Sequence, residues 1–251
     1  MNNGKKYLVF DIPIDIMSRD AVGRRMRDIL SAPHFRRLAT VNPEFLMRVR
    51  RDERFRVNLL SADIRIPDGF GIVLDGLLSG KRIHRYPGAD LLEFILAETE
   101  QAKGSLFLLI LKDGLSSLEE IRNAIRKRYS ALRVQGIECE PGSVTLPDAI
   151  RTATVVLCNF GAPEQEYILE SLRGNPGNIR LAMGIGGAFD FITGRRKRAP
   201  HWMRTIGLEW LFRLLIQPGR IGRIWTAVVV FPFFRLFDRM KSGNSEQETG
   251  S

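Results

Sequence analysis

The sequence is poor in the residues that build disulfide scaffolds and metal sites. Its 251 residues include two cysteines, Cys139 and Cys158, which form no CxxC pattern. We expect both to be buried free thiols in a reducing cytosol. Three histidines are scattered along the chain without the spacing of metal ligands, so we expect no metal site. A disulfide-stapled miniprotein is therefore excluded.

Long apolar runs are also missing. The apolar residues after Lys5 and Lys6 end at Asp11, whereas an export signal needs an apolar region of roughly 7–15 residues. The longest uncharged run after residue 200, IWTAVVVFPFF at residues 224–234, falls short of the roughly 20 residues that span a membrane. Because arginines flank this run, we expect it to lie on or dip into a membrane surface, with a buried core segment as the alternative.

Charge is unevenly distributed along the chain. The sequence carries 38 Lys and Arg against 28 Asp and Glu, a net charge of +10. Residues 195–241 hold eleven basic and two acidic side chains, so +9 lies there and +1 in the remainder. Nucleic-acid binding by the basic segment is one interpretation, but RNA binding normally uses a basic stripe or exposed aromatics on the folded domain. The interleaved Trp, Phe and Val favour an anionic bilayer instead.

Apolar, β-rich runs alternate with helical patterns up to about residue 183. Strands are predicted at residues 7–10, 38–41, 64–66, 106–111, 134–137, 155–157 and 179–183. Between the second and third strands, Pro43 is expected in the first turn of a helix that runs to about Leu60. This alternation predicts an α/β, Rossmann-like fold, a mostly parallel sheet flanked by helices. From about Gly194 onward no strand pattern remains, and helical spacing of apolar residues predicts a basic amphipathic appendage. We expect a core domain at residues 1–194, the appendage at 195–241 and a disordered tail at 242–251.

Polar residues and glycines cluster where the predicted strands end. The segments are Thr40–Glu44, Pro67–Gly71, Asn159–Glu166 and Gly184–Asp190. Each has a simpler interpretation, as a helix cap, a first-turn acid, a tight turn or close packing. Because the carboxyl ends of parallel strands meet at one edge, the four segments together predict one ligand site. They contain neither a GxGxxG pattern nor a Walker lysine.

Several of these segments resemble the WecG/TagA/CpsF family of bacterial glycosyltransferases, glycosyltransferase family 26. The matching stretches are TVNPEFL (40–46), SADIRIPDGFGIV (61–73), RYPGADLL (85–92), GAPEQE (161–166) and GIGGAFDFITGRRKRAPHWMRTIGLEWLFRLLIQPGRIGR (184–223). The resemblance implies a membrane-associated, inverting, metal-independent enzyme without a cofactor. It would move a sugar from a UDP-sugar donor to a polyprenyl-diphosphate-linked acceptor in exopolysaccharide, teichoic-acid or common-antigen synthesis. Its expected location is the cytoplasmic face of the inner membrane, bound to anionic lipids, with a homo-oligomer left open.

The resemblance also implies roles for individual residues. Asp68, in the PDG element, is the expected general base, because an inverting transfer needs a carboxylate beside the attacking hydroxyl. Arg85 is expected to bind diphosphate and Gln165 to contact a sugar. Sugar contacts are further expected from Thr40 and Asn42, nucleotide contacts from Gly186, Gly187 and Asp190, and lipid-phosphate contacts from Arg204, Arg213, Arg220 and Arg223.

Overall fold

The computed structural model describes residues 5–205, 207–217, 219 and 221–238. The side chains of Pro141, Thr205 and Arg213 are not part of this description. Of the expected features, Arg220, the side chain of Arg213 and the tail at residues 242–251 therefore lie outside the described residues.

A six-stranded parallel sheet forms the centre of the molecule. The strands are β1 (Lys6–Val9), β2 (Ile12–Asp15), β3 (Arg36–Val41), β4 (Ile64–Pro67), β5 (Ser105–Leu111), β6 (Arg133–Cys139), β7 (Val155–Cys158) and β8 (Leu181–Gly184). Strands β3 to β8 pair in the order β4-β3-β8-β7-β5-β6, and every pair is parallel. This arrangement confirms the predicted α/β, Rossmann-like fold.

Helices cover both faces of this sheet. They are α1 (Arg19–Ser31), α2 (Pro43–Val49), α3 (Glu53–Ser61), α4 (Phe70–Leu78), α5 (Gly88–Gln101), α6 (Leu118–Arg128), α7 (Glu164–Ser171), α8 (Phe189–Ile192), α9 (His201–Thr205), α10 (Glu209–Ile216) and α11 (Ile221–Trp225). Alternating residues of each strand face opposite cores. Leu108 and Leu157 pack with α1, α5, α6 and α8, whereas Leu109 and Val156 pack on the other face. Both faces are thus buried, as parallel sheets require.

The sequence pattern missed one strand, and one predicted helix was wrong. The segment after β1 forms a second strand, β2, which pairs with β1 in an antiparallel hairpin. Its turn places Phe10 and Asp11 at φ of 50° and 61°, and its Pro13 obscured the strand pattern. The helix expected to run from Pro43 to about residue 60 is two helices, α2 and α3, because Asp52 caps a new helix by accepting a hydrogen bond from Phe55 N.

The C-terminal segment is helical and packs on the core. After α11 the helix continues through a π-helical turn at Thr226–Val230 into residues 231–238, and we call residues 221–238 the C-terminal helix. Phe231 is fully buried and meets the Phe10 ring edge-on at 6.0 Å. Arg235 Nε lies 2.9 Å from the buried carboxylate of Asp75 on α4. The run at residues 224–234 therefore buries one side in the core and exposes the other.

None of the helices in the described ranges has the length and apolar character needed to cross a membrane. The two cysteines are free, and Cys158 in β7 is buried as expected, whereas Cys139 at the end of β6 is half-buried. Burial raises the pKa of the Cys158 thiol, so it stays protonated.

Candidate active site

Two cavities meet at the carboxyl ends of the strands. One, of about 350 Å³, we call the polar cavity; the loops after β3, β5, β7 and β8 line it. The other, of about 330 Å³, we call the apolar cavity; it lies between α2, α4, α10 and the C-terminal helix. Asn42, Asp68 and Arg223 line both. The structure thus joins the strand-end residues into one site, as predicted, and adds a wall from the C-terminal segment.

Asp68 is held at the junction by the turn that follows β4. Its backbone N–H donates to Val41 O at 2.6 Å, and its Oδ2 lies 3.4 Å from Gly88 N at the start of α5. The next residue, Gly69, has φ of +113°, and a Cβ there would come within 2.9 Å of Pro43 Cδ. Glycine at residue 69 is required for both reasons, so the PDG turn fixes the carboxylate between the two cavities.

Thr40 and Asn42 both reach the polar cavity from the end of β3. Asn42 is also the N-cap of α2, because its Oδ1 accepts a hydrogen bond from Phe45 N at 2.9 Å. The helix-cap interpretation and the site interpretation therefore hold for the same side chain. The predicted sugar contacts of both residues stay predictions.

Gln165 lines the polar cavity, but its amide group is occupied by protein partners. Its Oε1 accepts hydrogen bonds from Gly161 N at 3.1 Å and Gly186 N at 3.3 Å. Its Nε2 donates to Glu166 Oε1 at 3.1 Å. Gln165 thus ties the loop after β7 to the loop after β8, and its predicted sugar contact stays a prediction.

A buried ion pair lies behind Gln165. Arg37 on β3 is fully buried, and its Nη1 lies 2.7 Å from Glu166 Oε2 while its Nε lies 2.7 Å from Glu170 Oε2. Burial raises the pKa of Glu166, and the guanidinium of Arg37 opposes that rise. The chain of contacts runs from the sheet through Arg37, Glu166 and Gln165 to the loops of the polar cavity. Arg37 carried no sequence signal, because it matches no motif and stands beside Arg36 just before the predicted strand at residues 38–41.

Basic residues line the polar cavity beside the glycine loop after β8. Gly186, Gly187, Asp190, Arg196 and Lys197 all reach it. Asp190 accepts a hydrogen bond from Ser116 Oγ at 2.9 Å and lies 3.2 Å from Arg196 Nη1, so it anchors that arginine. A side chain at Gly187 would meet both Arg196 and Asp190 within 3.3 Å. Arg196 and Lys197 were not singled out from the sequence, although they follow the GGAFD element directly.

Arg85 reaches the apolar cavity as a member of a buried ion pair. Its Nη2 lies 2.7 Å from Glu209 Oε2, and Glu209 belongs to α10. This pair links the RYPGAD segment to the GLEW segment, two stretches that the sequence analysis had connected only through the family resemblance. The diphosphate contact predicted for Arg85 stays a prediction.

Several arginines of the C-terminal segment pair with carboxylates of the core. Arg204 Nη1 lies 3.6 Å from Asp90 Oδ1, which Arg198 also contacts, and Arg223 Nε lies 2.7 Å from Glu44 Oε2. Asp90 and Glu44 were present in the quoted motifs without an assigned role. The lipid-phosphate contacts expected for Arg204 and Arg223 stay predictions, and the structure shows their protein partners.

Across the part of the chain that the structure describes, no group of three or more His, Cys, Asp and Glu side chains is arranged to hold a metal ion. The charged groups that line the apolar cavity are the carboxylates of Glu44, Asp68 and Glu209 and the guanidinium groups of Arg85 and Arg223.

The sequence of this chain is similar to those of known proteins. The sequence model described as Glycosyl transferase WecG/TagA/CpsF family matches residues 7–245. A Bacillus spizizenii protein named N-acetylglucosaminyldiphosphoundecaprenol N-acetyl-beta-D-mannosaminyltransferase is 29% identical over 192 residues, covering 74% of each chain. A Bacillus subtilis protein of the same name is 28% identical over 204 residues, covering 79% of this chain and 77% of its own. With the family match spanning nearly the whole sequence, the chain belongs to the WecG/TagA/CpsF family of glycosyl transferases.

Proposed function

We propose that this protein is an inverting glycosyltransferase that moves a sugar from a UDP-sugar to the sugar of a polyprenyl-diphosphate-linked acceptor. The observation that carries the proposal is the position of Asp68, whose side chain lines a polar and an apolar cavity at once. A nucleotide-sugar suits the polar cavity and a lipid-linked acceptor suits the apolar one. The names of the two Bacillus relatives suggest which substrates to test first. The donor sugar is N-acetylmannosamine and the acceptor is N-acetylglucosaminyldiphosphoundecaprenol.

Asp68 acts as the general base in this proposal. The acceptor hydroxyl at the junction gives its proton to the Asp68 carboxylate as its oxygen attacks the anomeric carbon. The bond from that carbon to the UDP oxygen then breaks on the opposite face, so the configuration inverts. A positioned general base contributes about 10²–10⁴-fold to such a step.

The polar cavity receives the donor nucleotide. Its glycines at residues 186 and 187 allow a ligand to approach the backbone closely, and Arg196 and Lys197 supply positive charge on the same wall. These cations, with Arg223 at the junction, stabilise the charge that develops on the departing UDP. We therefore propose a metal-independent transfer in which basic side chains meet the diphosphate.

Residues 195–241 serve as a membrane-associating appendage in this proposal, on the cytoplasmic face of the inner membrane. Apolar side chains stand exposed on its described part: Trp202, Leu215, Ile221, Trp225, Phe233 and Leu236. Exposed apolar side chains beside arginines suit a lipid interface, where each basic residue adds about 1 kcal/mol on an anionic surface. This placement brings the site to a lipid-linked acceptor and to anionic lipids.

Replacing the Asp68 carboxylate tests the assignment directly. Asp68→Asn keeps the shape of the side chain but removes the proton acceptor, so we expect kcat to fall at least about 100-fold. Transfer from UDP-N-acetylmannosamine to a lipid-diphosphate N-acetylglucosamine is followed by mass spectrometry. Asp148→Asn is the matched control, because the Asp148 side chain is 97% exposed on a distant turn. Wild-type turnover in a folded Asp68→Asn protein would contradict the assignment.

Removing metal ions tests the metal-independent transfer. After dialysis against EDTA, we expect the initial rate of the wild-type enzyme to stay unchanged, because arginine and lysine side chains supply the charge. The same assay is run with and without added Mg²⁺ or Mn²⁺. A rate that disappears with EDTA and returns with either ion would overturn this part of the proposal.

A further inference from the structure

The apolar cavity is charged near Asp68 and apolar over most of its remaining walls. Around Asp68 it carries the charged side chains of Glu44, Arg85, Glu209 and Arg223. The remaining walls are mostly apolar, from α4, α10 and the C-terminal helix: Phe70, Leu74, Leu208, Trp210, Ile224, Ala227, Val228 and Pro232. A ligand that fits this space has a charged group near the catalytic carboxylate and an apolar body beyond it.

The cavity opens to the surface beside exposed apolar side chains. Phe70 and Val228 line it and are 40% and 42% exposed, so its mouth lies between α4 and the C-terminal helix. From Val228 an exposed apolar stripe continues along the same helix, at residues 229, 233, 236 and 237. The apolar lining of the cavity is therefore continuous with apolar protein surface.

Close packing fixes the two helices that form the mouth. A Cβ at Gly71 of α4 would come within 3.0 Å of Ala227 O, so the helix backbones approach closely there. Further along, Arg235 pairs with Asp75, and Phe231 is buried against the core. The groove between the helices is therefore built into the fold, because buried contacts hold both of its sides.

We infer that this groove binds the first isoprenoid units of the acceptor lipid, with the diphosphate beside Arg85 and Arg223. A polyprenyl diphosphate has an anionic head and an apolar branched chain. These two parts match the charged and the apolar parts of the cavity. Arg85 and Arg223 each hold a carboxylate, but a guanidinium carries five N–H donors and can also bind phosphate oxygens. The inference rests on the proposed function and adds where the lipid chain runs, from Asp68 past Val228 to the exposed stripe.

The test compares the binding of two soluble probes, farnesyl diphosphate and inorganic diphosphate, by isothermal titration calorimetry without membranes. The wild-type protein should bind farnesyl diphosphate at least about tenfold more tightly, because only this probe places apolar surface in the groove. Equal affinities for the two probes would overturn the inference. This readout does not depend on sugar transfer.

Val228 and Val57 offer a matched pair of variants. Both are exposed valines on helices, at 42% and 58%, and only Val228 lines the cavity. Val228→Asn should raise the Kd for farnesyl diphosphate by about fivefold and leave that for inorganic diphosphate unchanged, since it removes apolar contact only. Val57→Asn should change neither value. Equal effects of the two variants would overturn the inference.

The same variants separate this inference from the proposed function. If farnesyl diphosphate binds with the expected dependence on Val228 but no lipid-diphosphate sugar is extended, the lipid-chain groove stands and the proposed transfer fails. If transfer occurs but Val228→Asn lowers kcat/KM equally for a long-chain acceptor and for one with a methyl group in place of the chain, the groove is overturned and the transfer stands.

Discussion

Single residues decide the geometry of the site, and several have two tasks. Asn42 caps α2 and lines both cavities, and Asp190 anchors Arg196 beside the polar cavity. Gln165 lines the polar cavity, but both polar atoms of its amide already form hydrogen bonds with protein groups. The strand-end pattern predicted where these side chains lie. It did not predict all of their partners, because a partner such as Ser116, 74 residues from Asp190, leaves no local pattern.

The buried pair of Arg37 and Glu166 yields a prediction about positioning. Glu166→Gln removes the charge that faces Arg37 while keeping an oxygen near Gln165. Breaking a buried ion pair costs about 3–5 kcal/mol, and here Glu170 still pairs with Arg37, so we expect unfolding in urea to show a loss of about 2 kcal/mol. The loosened Gln165 should raise KM for the UDP-sugar more than it lowers kcat.

Glu170→Gln is the control for this effect. Glu170 also contacts Arg37, but it has no contact with Gln165 and is partly exposed. It should lower stability without raising the donor KM. Equal changes in the donor KM for the two variants would show that Arg37 and Glu166 act on stability alone.

At the scale of elements, the C-terminal helix serves the core on one side and faces outward on the other. Phe231 and Arg235 bind it to the core, while Trp225, Phe233 and Leu236 are 60–65% exposed. The sequence analysis set a membrane-surface segment against a buried core segment. The buried interpretation holds for the side that carries Phe231, and the membrane-surface interpretation stays a prediction for the exposed side. The sequence pattern could not separate the two sides, because Phe231 packs against distant residues such as Phe10.

Removing the exposed side of this helix should release the protein from membranes. We expect the combined Trp225→Gln, Phe233→Gln and Leu236→Gln variant to lose most of its sedimentation with phosphatidylglycerol liposomes, because three large apolar contacts are lost. Its turnover of an acceptor with a methyl group in place of the lipid chain should persist, since none of the three residues lines either cavity.

Exposed apolar residues outside the C-terminal segment provide the control for liposome binding. Leu8 and Val57 are 60% and 58% exposed, and their change to Gln should leave liposome binding intact. RNA gel shifts on the wild-type protein address the nucleic-acid alternative, and we expect no shift at physiological salt. A wild-type protein that shifts RNA but stays in the supernatant with liposomes would contradict the membrane assignment.

For the whole molecule, the net charge of +10 lies mostly in residues 195–241, and this concentration predicts that the segment binds an anionic surface. The structure shows that several of these arginines also pair with core carboxylates: Arg196 with Asp190, Arg204 with Asp90, Arg223 with Glu44 and Arg235 with Asp75. The distribution of charge along the sequence predicts the basic appendage. Which of its arginines pair with core carboxylates depends on the fold.

The residues that line the apolar cavity are synthesised at different times during translation. Asp68 and its turn are made early in translation, whereas Leu208, Trp210, Val228 and Pro232 follow at least 140 residues later. A ribosome-bound chain can therefore complete its parallel sheet while the acceptor side of its site still lacks a wall. Under the proposed function, acceptor binding therefore begins only when the C-terminal helix is in place, because an unfinished chain carries the Asp68 carboxylate without the wall that completes the apolar cavity.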